Sequence, residues 1–266
     1  TWDVAQQWLS DLPYKMVCSA ETQAYRNLVA AAESHMASDW GRREQAMDWD
    51  WVATNDNPYR EWIGAQIRAD SWGYAAPGDP ERAAEYAWRD ARLSHVKNGI
   101  YGEMFCAAMI AAALALDDPR AIVEAGLAEV PATSRLSREM RQVIDLCAEH
   151  GNDPAAFEAV LGGIESLLGH YHPVHTNNNA GLVVAAVLLG GHDFEKAITI
   201  AVMGGWDTDC NGATAGSICG AMLGAAKLPA KWIDPLHDTL YSQVNDYHPI
   251  SIRRCAEMSF EIARRA

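Results

Sequence analysis

The chain has 266 residues, and 49% of them are hydrophobic, which is enough to bury a substantial core. Its formal net charge is -14, from 35 acidic residues against 21 Lys plus Arg. This excess of acid argues against a nucleic-acid or membrane surface and suits a protein that holds a cation. The six cysteines form no CxxC pair and no disulfide-rich pattern, so we expect a reducing, cytoplasmic setting.

No linker divides the sequence, and we expect one domain over residues 1–266. The many alanines favour helices. The sequence shows no signal peptide and no apolar run of membrane-spanning length. It begins at Thr1 without an initiator Met, so we expect an N-terminus that is processed or truncated.

Apolar residues recur at helical spacing along most of the chain. Asp79 followed by Pro80 is typical of a capped helix start. No segment has the pattern of a regular strand, so the sequence predicts an all-α fold. The predicted helices are, in chain order, Val4–Leu9, Glu21–His35, Pro80–Leu93, Gly102–Leu116, Pro119–Glu129, Leu136–His150, Pro154–Leu168, Asn179–Leu189, Asp193–Val202 and Ile250–Ala266.

Two segments in the first half of the chain lack this period. Ser38–Pro58 contains three tryptophans, and we predict an irregular segment that its aromatic residues anchor. Ser94–Glu103 combines glycine and polar residues just before a predicted helix. A helix start with free amides and Lys97 nearby suits a phosphate, and the alternative is an ordinary helix-helix connection.

A second polar concentration spans His170–Asn179. Its three histidines could bind zinc, but Pro173 and the irregular spacing do not place them on one helical face. The pattern favours a loop whose Asn and His side chains hydrogen-bond a substrate. A purely structural loop is the alternative.

The segment Gly204–Gly212, here called the acidic turn, reads Gly-Gly-Trp-Asp-Thr-Asp-Cys-Asn-Gly. Its glycines permit a tight turn, and Asp209 and Asn211 are good N-cap residues for a following helix. Two acids one residue apart, Asp207 and Asp209, are hard oxygen ligands for a divalent cation. A metal site is the first hypothesis, and the alternative is that both acids only cap the helix and solvate the turn.

The helix after the acidic turn carries glycine every fourth residue, at Gly212, Gly216, Gly220 and Gly224. Glycine in a helix interior costs up to about 1 kcal/mol relative to alanine. Four on one face therefore predict close approach to a neighbouring helix, and we expect this Gly-rich helix to be central and buried.

The chain resembles the ADP-ribosylglycohydrolase family. The resemblance extends from about residue 59 to about residue 226, and the acidic turn and the Gly-spaced helix carry most of it. The other matching motifs are Gly64-Ala65-Gln66-Ile67-Arg68, Pro77-Gly78-Asp79-Pro80, Ser94-His95, Tyr101-Gly102 and Asn178-Asn179-Ala180.

The resemblance implies an all-α fold around a site for two Mg²⁺ ions, which hydrolyses the glycosidic bond at the anomeric carbon of an ADP-ribosyl group. Asp207 and Asp209 would be metal ligands, with Asp209 bridging both ions and Cys210 beside them. The partner would be an ADP-ribosylated substrate or an ADP-ribose-like small molecule. Residues along the distal ribose, phosphates or adenine would be His95, Asn98, Gly99, Tyr101 and Gly102. Residues lining the cleft would be Asn178, Asn179, Gly205 and Trp206.

The sequence departs from the family pattern in three places. Cys210 stands where the family has a hydroxyl residue, and a thiol is a poor ligand for Mg²⁺. Trp206 between the glycines and the acids would alter the shape of the pocket. The N-terminal Asp-Asp-Thr motif that supplies the other ligands has no match before Thr54, since the surroundings of Asp39 and of Asp48–Asp50 do not fit.

We therefore expect a chain that begins downstream of that motif and holds half of a metal site, with one Mg²⁺ or none. An N-terminal portion or another chain would complete it. The sequence does not identify the catalytic acid-base residue. Three hypotheses follow: a magnesium-dependent glycohydrolase, a non-catalytic module that binds ADP-ribose or a nucleotide, and a structural helical protein in which the glycine ridge only packs.

Overall fold

The computed structural model describes residues 1–35 and 47–265, and within them helices dominate, as the sequence predicts. The helices, numbered in chain order, are α1 (Trp2–Asp11), α2 (Ser19–His35), α3 (Trp49–Thr54), α4 (Gly64–Ile67), α5 (Asp70–Tyr74), α6 (Pro80–Ala91), α7 (Asn98–Ala113), α8 (Pro119–Ala128), α9 (Arg135–Glu149), α10 (Phe157–Leu168), α11 (Thr176–Gly190), α12 (Phe194–Met203), α13 (Thr208–Leu223), α14 (Ala230–Ile233) and α15 (Ile252–Ala263). The strands are β1 (Thr239–Leu240) and β2 (Ile250–Ser251), which pair antiparallel.

Side-chain caps set several helix starts. Asp79 accepts a hydrogen bond from the Arg82 amide at 3.1 Å, and Pro80 fills the first helical position of α6. His175 caps α11 through the Asn177 amide at 3.1 Å. Helix α11 therefore begins three residues before the predicted start at Asn179. The sequence did not indicate this earlier start, because histidine is not among the usual capping residues.

The core lies around α7 and α11. Every residue of α11 is buried, and α7 buries Phe105–Ala113 on all sides. Helices that are apolar all round belong in the middle of a domain. Helices α5, α6 and α8 pack against α7, while α9, α12 and α13 pack against α11.

The Gly-rich helix α13 packs against α7, α11 and α12, so its predicted central position agrees with the structure, and its burial is confined to one face. Its buried residues include Cys210, Asn211 and Ile218. The glycine ridge faces α12, and the approach is tight only at Gly212, where a Cβ would lie 2.9 Å from Val202; at Gly216 and Gly220 a Cβ would make ordinary contacts. Gly224 ends the helix with φ 75° and does not extend the ridge.

Two other expectations change. The segment predicted to be irregular contains α3, which Asp48 caps at the Trp51 amide, while residues 36–46, including Asp39 and Trp40, lie outside the described residues. The predicted closing helix begins at Ile252, because Ile250–Ser251 pairs with β1. Among the described helices, none has the length and apolarity needed to cross a membrane.

Candidate metal and substrate site

The acidic turn connects α12 to α13. Gly205 has φ 82° and Trp206 has φ 54°, so two consecutive residues adopt the left-handed conformation. The half-buried Trp206 ring packs against the core and holds this backbone in place. Asp207 follows at the N-cap position of α13, and Asp209 lies in its first turn. The prediction that Asp209 and Asn211 cap this helix was therefore wrong, because the helix begins earlier, at Thr208.

The turn brings three possible ligands together. One ligand atom each from Asp207, Asp209 and Cys210 lies within 4.8 Å of the others. Asp209 is exposed, Asp207 is half-buried and Cys210 is buried. Within the described chain, His170, His172 and His175 form no such group, and no ion pair joins a Lys or Arg to Asp207 or Asp209.

The electrostatics of this group favour a cation at the carboxylates and argue against the thiol as a ligand for Mg²⁺. Burial raises the pKa of Asp207, the Cys210 thiol that donates to it lowers the pKa, and the Asp209 carboxylate raises it again. Burial, followed by the negative charge of Asp207, raises the pKa of Cys210 well above its usual range, so the thiol stays protonated. The carboxylates fit a hard cation, whereas a neutral thiol does not.

Asn179 fixes the position of the acidic turn. Its Oδ1 accepts from the Asp207 amide at 3.0 Å and from Asn211 Nδ2 at 2.8 Å. Its Nδ2 donates to the carbonyls of Pro173 and His175, both at 2.8 Å. One fully buried amide thus joins the start of α11 to the start of α13.

The asparagines predicted to lie in a loop belong to the first turn of α11. Asn178 Nδ2 donates to the His172 carbonyl at 3.2 Å, and Asn177 Nδ2 donates to Glu139 at 2.6 Å. All of these amides are buried and make contacts within the protein. A substrate-binding role for Asn178 and Asn179 stays a prediction.

The residues predicted along the distal ribose and phosphates cluster at the start of α7. His95 is fully buried, and its Nδ1 lies 2.8 Å from Ser94 Oγ. Burial and the nearby Arg68 hold the pKa of His95 well below its usual range, so the ring is neutral. Its Nε2 makes no well-formed hydrogen bond among the described residues, and the nearby Trp62 backbone opposes the lowering of the pKa. A neutral imidazole can donate or accept a hydrogen bond at that nitrogen.

Asn98 and Gly102 of this group lie against the starts of α9 and α11. Asn98 Nδ2 donates to Glu61 at 2.7 Å, and Asn98 Oδ1 accepts from the Leu136 amide at 3.2 Å. A Cβ at Gly99 would lie 2.7 Å from the Arg60 carbonyl oxygen, and one at Gly102 would collide with Thr176. Tyr101 is half-buried against the core.

Sequence reasoning missed the residue that links these helix starts, Glu61. Its carboxylate accepts from Asn98 and from Arg135 at 3.3 Å, and its carbonyl accepts from the Thr176 amide at 3.1 Å. It also missed Trp62, whose ring stacks on His172 at a centroid distance of 4.6 Å. Neither residue has a local motif, because their partners lie far away along the chain.

The structure therefore defines an all-α protein in which the starts of α7, α9, α11 and α13 are tied together beside a pair of carboxylates. The sequence pattern of the ADP-ribosylglycohydrolase family matches residues 2–258, and the chain belongs to this family. No curated protein matches the chain. Family membership indicates glycohydrolase activity on ADP-ribosyl groups, and the family is generally metal-dependent.

Proposed function

We propose that this protein is a magnesium-dependent hydrolase that cleaves the glycosidic bond of an ADP-ribosyl or related ribosyl group. The observation that carries the proposal is the acidic turn, where Asp207 and Asp209 lie close together with no basic partner in the described chain. Like charges held this close are costly unless a cation or a shared proton lies between them, and a bound cation lets both carboxylates stay ionised. We also propose one domain and a cytoplasmic setting, which the six free cysteines suit.

Asp207 and Asp209 would hold the cation, with Asp209 the more accessible of the two. A bound Mg²⁺ supplies Lewis-acid stabilisation of the charge that develops at the reacting centre. The protein contributes position, because Asn179 fixes the turn and the half-buried Trp206 ring packs against the core beside it. The neutral His95 and the start of α7 would bind the distal part of an ADP-ribosyl group.

Calorimetric titration of ADP-ribose with and without Mg²⁺ tests this proposal. We expect binding that depends on Mg²⁺ and is lost in Asp209→Asn, because the amide removes a charge without changing the shape. Asp118→Asn is the matched control, since Asp118 caps α8 and is not part of the acidic turn. Magnesium-independent binding that survives in Asp209→Asn would contradict the metal site.

The alternative is a non-catalytic homologue that binds ADP-ribose or a nucleotide. One observation favours it: the ligand group within the described residues consists of two carboxylates and a protonated thiol. This alternative predicts ADP-ribose binding without turnover at any Mg²⁺ concentration. Hydrolysis assays of arginine-, serine- and nucleotide-linked ADP-ribose separate the two functions, because they report product release directly.

A further inference from the structure

Glu21 belongs to a buried group of charges, the Arg68 cluster, which consists of Arg68, Glu21, Asp90 and Glu103. Arg68 Nε lies 2.5 Å from Asp90 Oδ2, and Arg68 Nη1 pairs with Glu21 Oε1. Glu103 Oε2 lies farther away, at 3.9 Å from Arg68 Nη2. Three carboxyl groups thus surround one guanidinium.

The three carboxyl groups are not equivalent. Burial and the Asp90 charge raise the pKa of Glu103 well above its usual range, so Glu103 is neutral. The side chains of Glu103 and Asp90 are 0% and 4% exposed, whereas that of Glu21 is 13% exposed. Among these carboxyl groups, Glu21 therefore has the most access to solvent.

The helix that carries Glu21 and the helix that follows the acidic turn share one neighbour, α4. Helix α4 contacts both α2, which carries Glu21, and α13. Gly64 leaves room for the Glu21 carboxylate, because a Cβ at that position would collide with it. The negative charge of Glu21 contributes to the raised pKa of the Cys210 thiol, so the two groups are electrostatic neighbours.

Arg68 and the backbone amide of Glu21 itself hold the Glu21 carboxylate. Oε1 pairs with Arg68 and lies 4.0 Å from His95 Nδ1, while no side chain in the described part of the chain donates a hydrogen bond to Oε2. Burial raises the pKa of Glu21 despite the opposing effects of Arg68 and of this amide. A fixed carboxylate with one oxygen that no side chain occupies and a raised pKa has the properties of a general base.

We propose that Glu21 is the catalytic carboxylate that activates water at this site, an inference that rests on the proposed hydrolase function. Glu21 takes a proton from water as the water oxygen forms a bond to the anomeric carbon. The bond from that carbon to the leaving group breaks, and its electron pair stays on the leaving group. The proton then passes from Glu21 to the leaving group, so water is consumed and the base is restored.

The test compares Glu21→Gln with the wild type in the full-length protein with Mg²⁺. We expect kcat for hydrolysis of linked ADP-ribose to fall by about 100-fold or more, the usual contribution of a general base. The calorimetric affinity for ADP-ribose should stay within about twofold, since the lost interaction acts only in the transition state. Glu103→Gln is the matched control from the same cluster, and its kcat should not change because Glu103 is already neutral.

Two further variants separate catalysis from a structural role. Glu21→Ala removes the carboxylate and leaves a space. Added formate should raise the kcat of this variant at least about tenfold, because it acts as an external base. Gly64→Ala should displace the Glu21 carboxylate and lower kcat. The double variant Gly64→Ala with Glu21→Gln should have a kcat close to that of Glu21→Gln alone, because both changes remove the same interaction.

The outcomes are distinguishable. A wild type that hydrolyses none of the arginine-, serine- and nucleotide-linked substrates would overturn the hydrolase function and the role of Glu21 with it. An active wild type with an equally active Glu21→Gln would overturn only the role of Glu21. Loss of ADP-ribose affinity and of folding stability in Glu21→Gln, without rescue of Glu21→Ala by formate, would make Glu21 a structural residue.

Discussion

The protein contains two groups of carboxylates, and only one of them includes a basic side chain. In the Arg68 cluster a buried guanidinium pairs with Glu21 and Asp90, and Glu103 stays neutral. In the acidic turn the Asp207 and Asp209 carboxylates lie close together, and no basic side chain of the described chain pairs with them. The first group has a positive charge within the fold, whereas the second has none within the described chain. This difference supports the proposal that the acidic turn takes a cation from outside.

Removing the internal cation should have the largest effect on stability. Arg68→Met leaves the buried charges of Glu21 and Asp90 without a partner, and we expect a loss of about 3–5 kcal/mol in the free energy of unfolding. Urea denaturation measures it. Arg120→Met, which removes an exposed ion pair with Glu124, should cost less than about 1 kcal/mol. Equal losses in both variants would show that the Arg68 cluster is not electrostatically coupled.

Loosening the acidic turn should have the second-largest effect. Asn179→Ala leaves the Asp207 amide and Asn211 without their acceptor, which should cost about 1–3 kcal/mol of stability. The affinity for Mg²⁺ should fall by about 10- to 100-fold, because Asn179 orients a ligand without touching the ion. Magnesium titration followed by calorimetry tests this, with Asn245→Ala on the surface as the control. Unchanged affinity would contradict the anchoring role of Asn179.

The neutral carboxyl group of the Arg68 cluster should make stability depend on pH. The pKa of Glu103 is raised in the folded state, so the folded protein binds more protons than the unfolded chain. Stability should therefore fall as pH rises above the usual glutamate range, by at most about 1.4 kcal/mol per pH unit. Glu103→Gln should lose this contribution, while those of Glu21, Asp207 and His95 stay in both proteins. The wild type minus Glu103→Gln difference in unfolding free energy should therefore fall from pH 5 to pH 8 in denaturation curves. A difference that does not change with pH would contradict the raised pKa of Glu103.

The smallest expected effect concerns the thiol beside the carboxylates. Cys210→Ser replaces a neutral thiol by a hydroxyl oxygen, which is a better neighbour for Mg²⁺, and affinity for Mg²⁺ should rise by up to about tenfold. Affinity for a thiophilic ion such as Cd²⁺ should fall in the same variant. The exposed Cys18→Ser is the control and should change neither affinity. Lower Mg²⁺ affinity in Cys210→Ser would show that the thiol supports the site.

Much of the fold followed from local patterns. Apolar spacing and the Asp79–Pro80 signal placed α6, and the same reasoning placed α8, α9 and α12 to within a few residues. The one-sided burial of α13 has a physical reason: glycine periodicity indicates a face that lies against α12, but it does not indicate whether the opposite face is covered. Helix α11 and the Phe105–Ala113 part of α7 are buried on every side, so they lack an amphipathic pattern.

The sequence by itself determined the acidic turn, because its glycines and its two acids are consecutive and act through local backbone geometry. Tertiary structure alone decided what surrounds that turn. Asn179 reaches the Asp207 amide from 28 residues away, and Glu21 reaches Arg68 from 47 residues away. Such contacts follow from helix packing, and no spacing along the chain encodes them. The candidate base was therefore invisible in the sequence, although the candidate metal ligands were not.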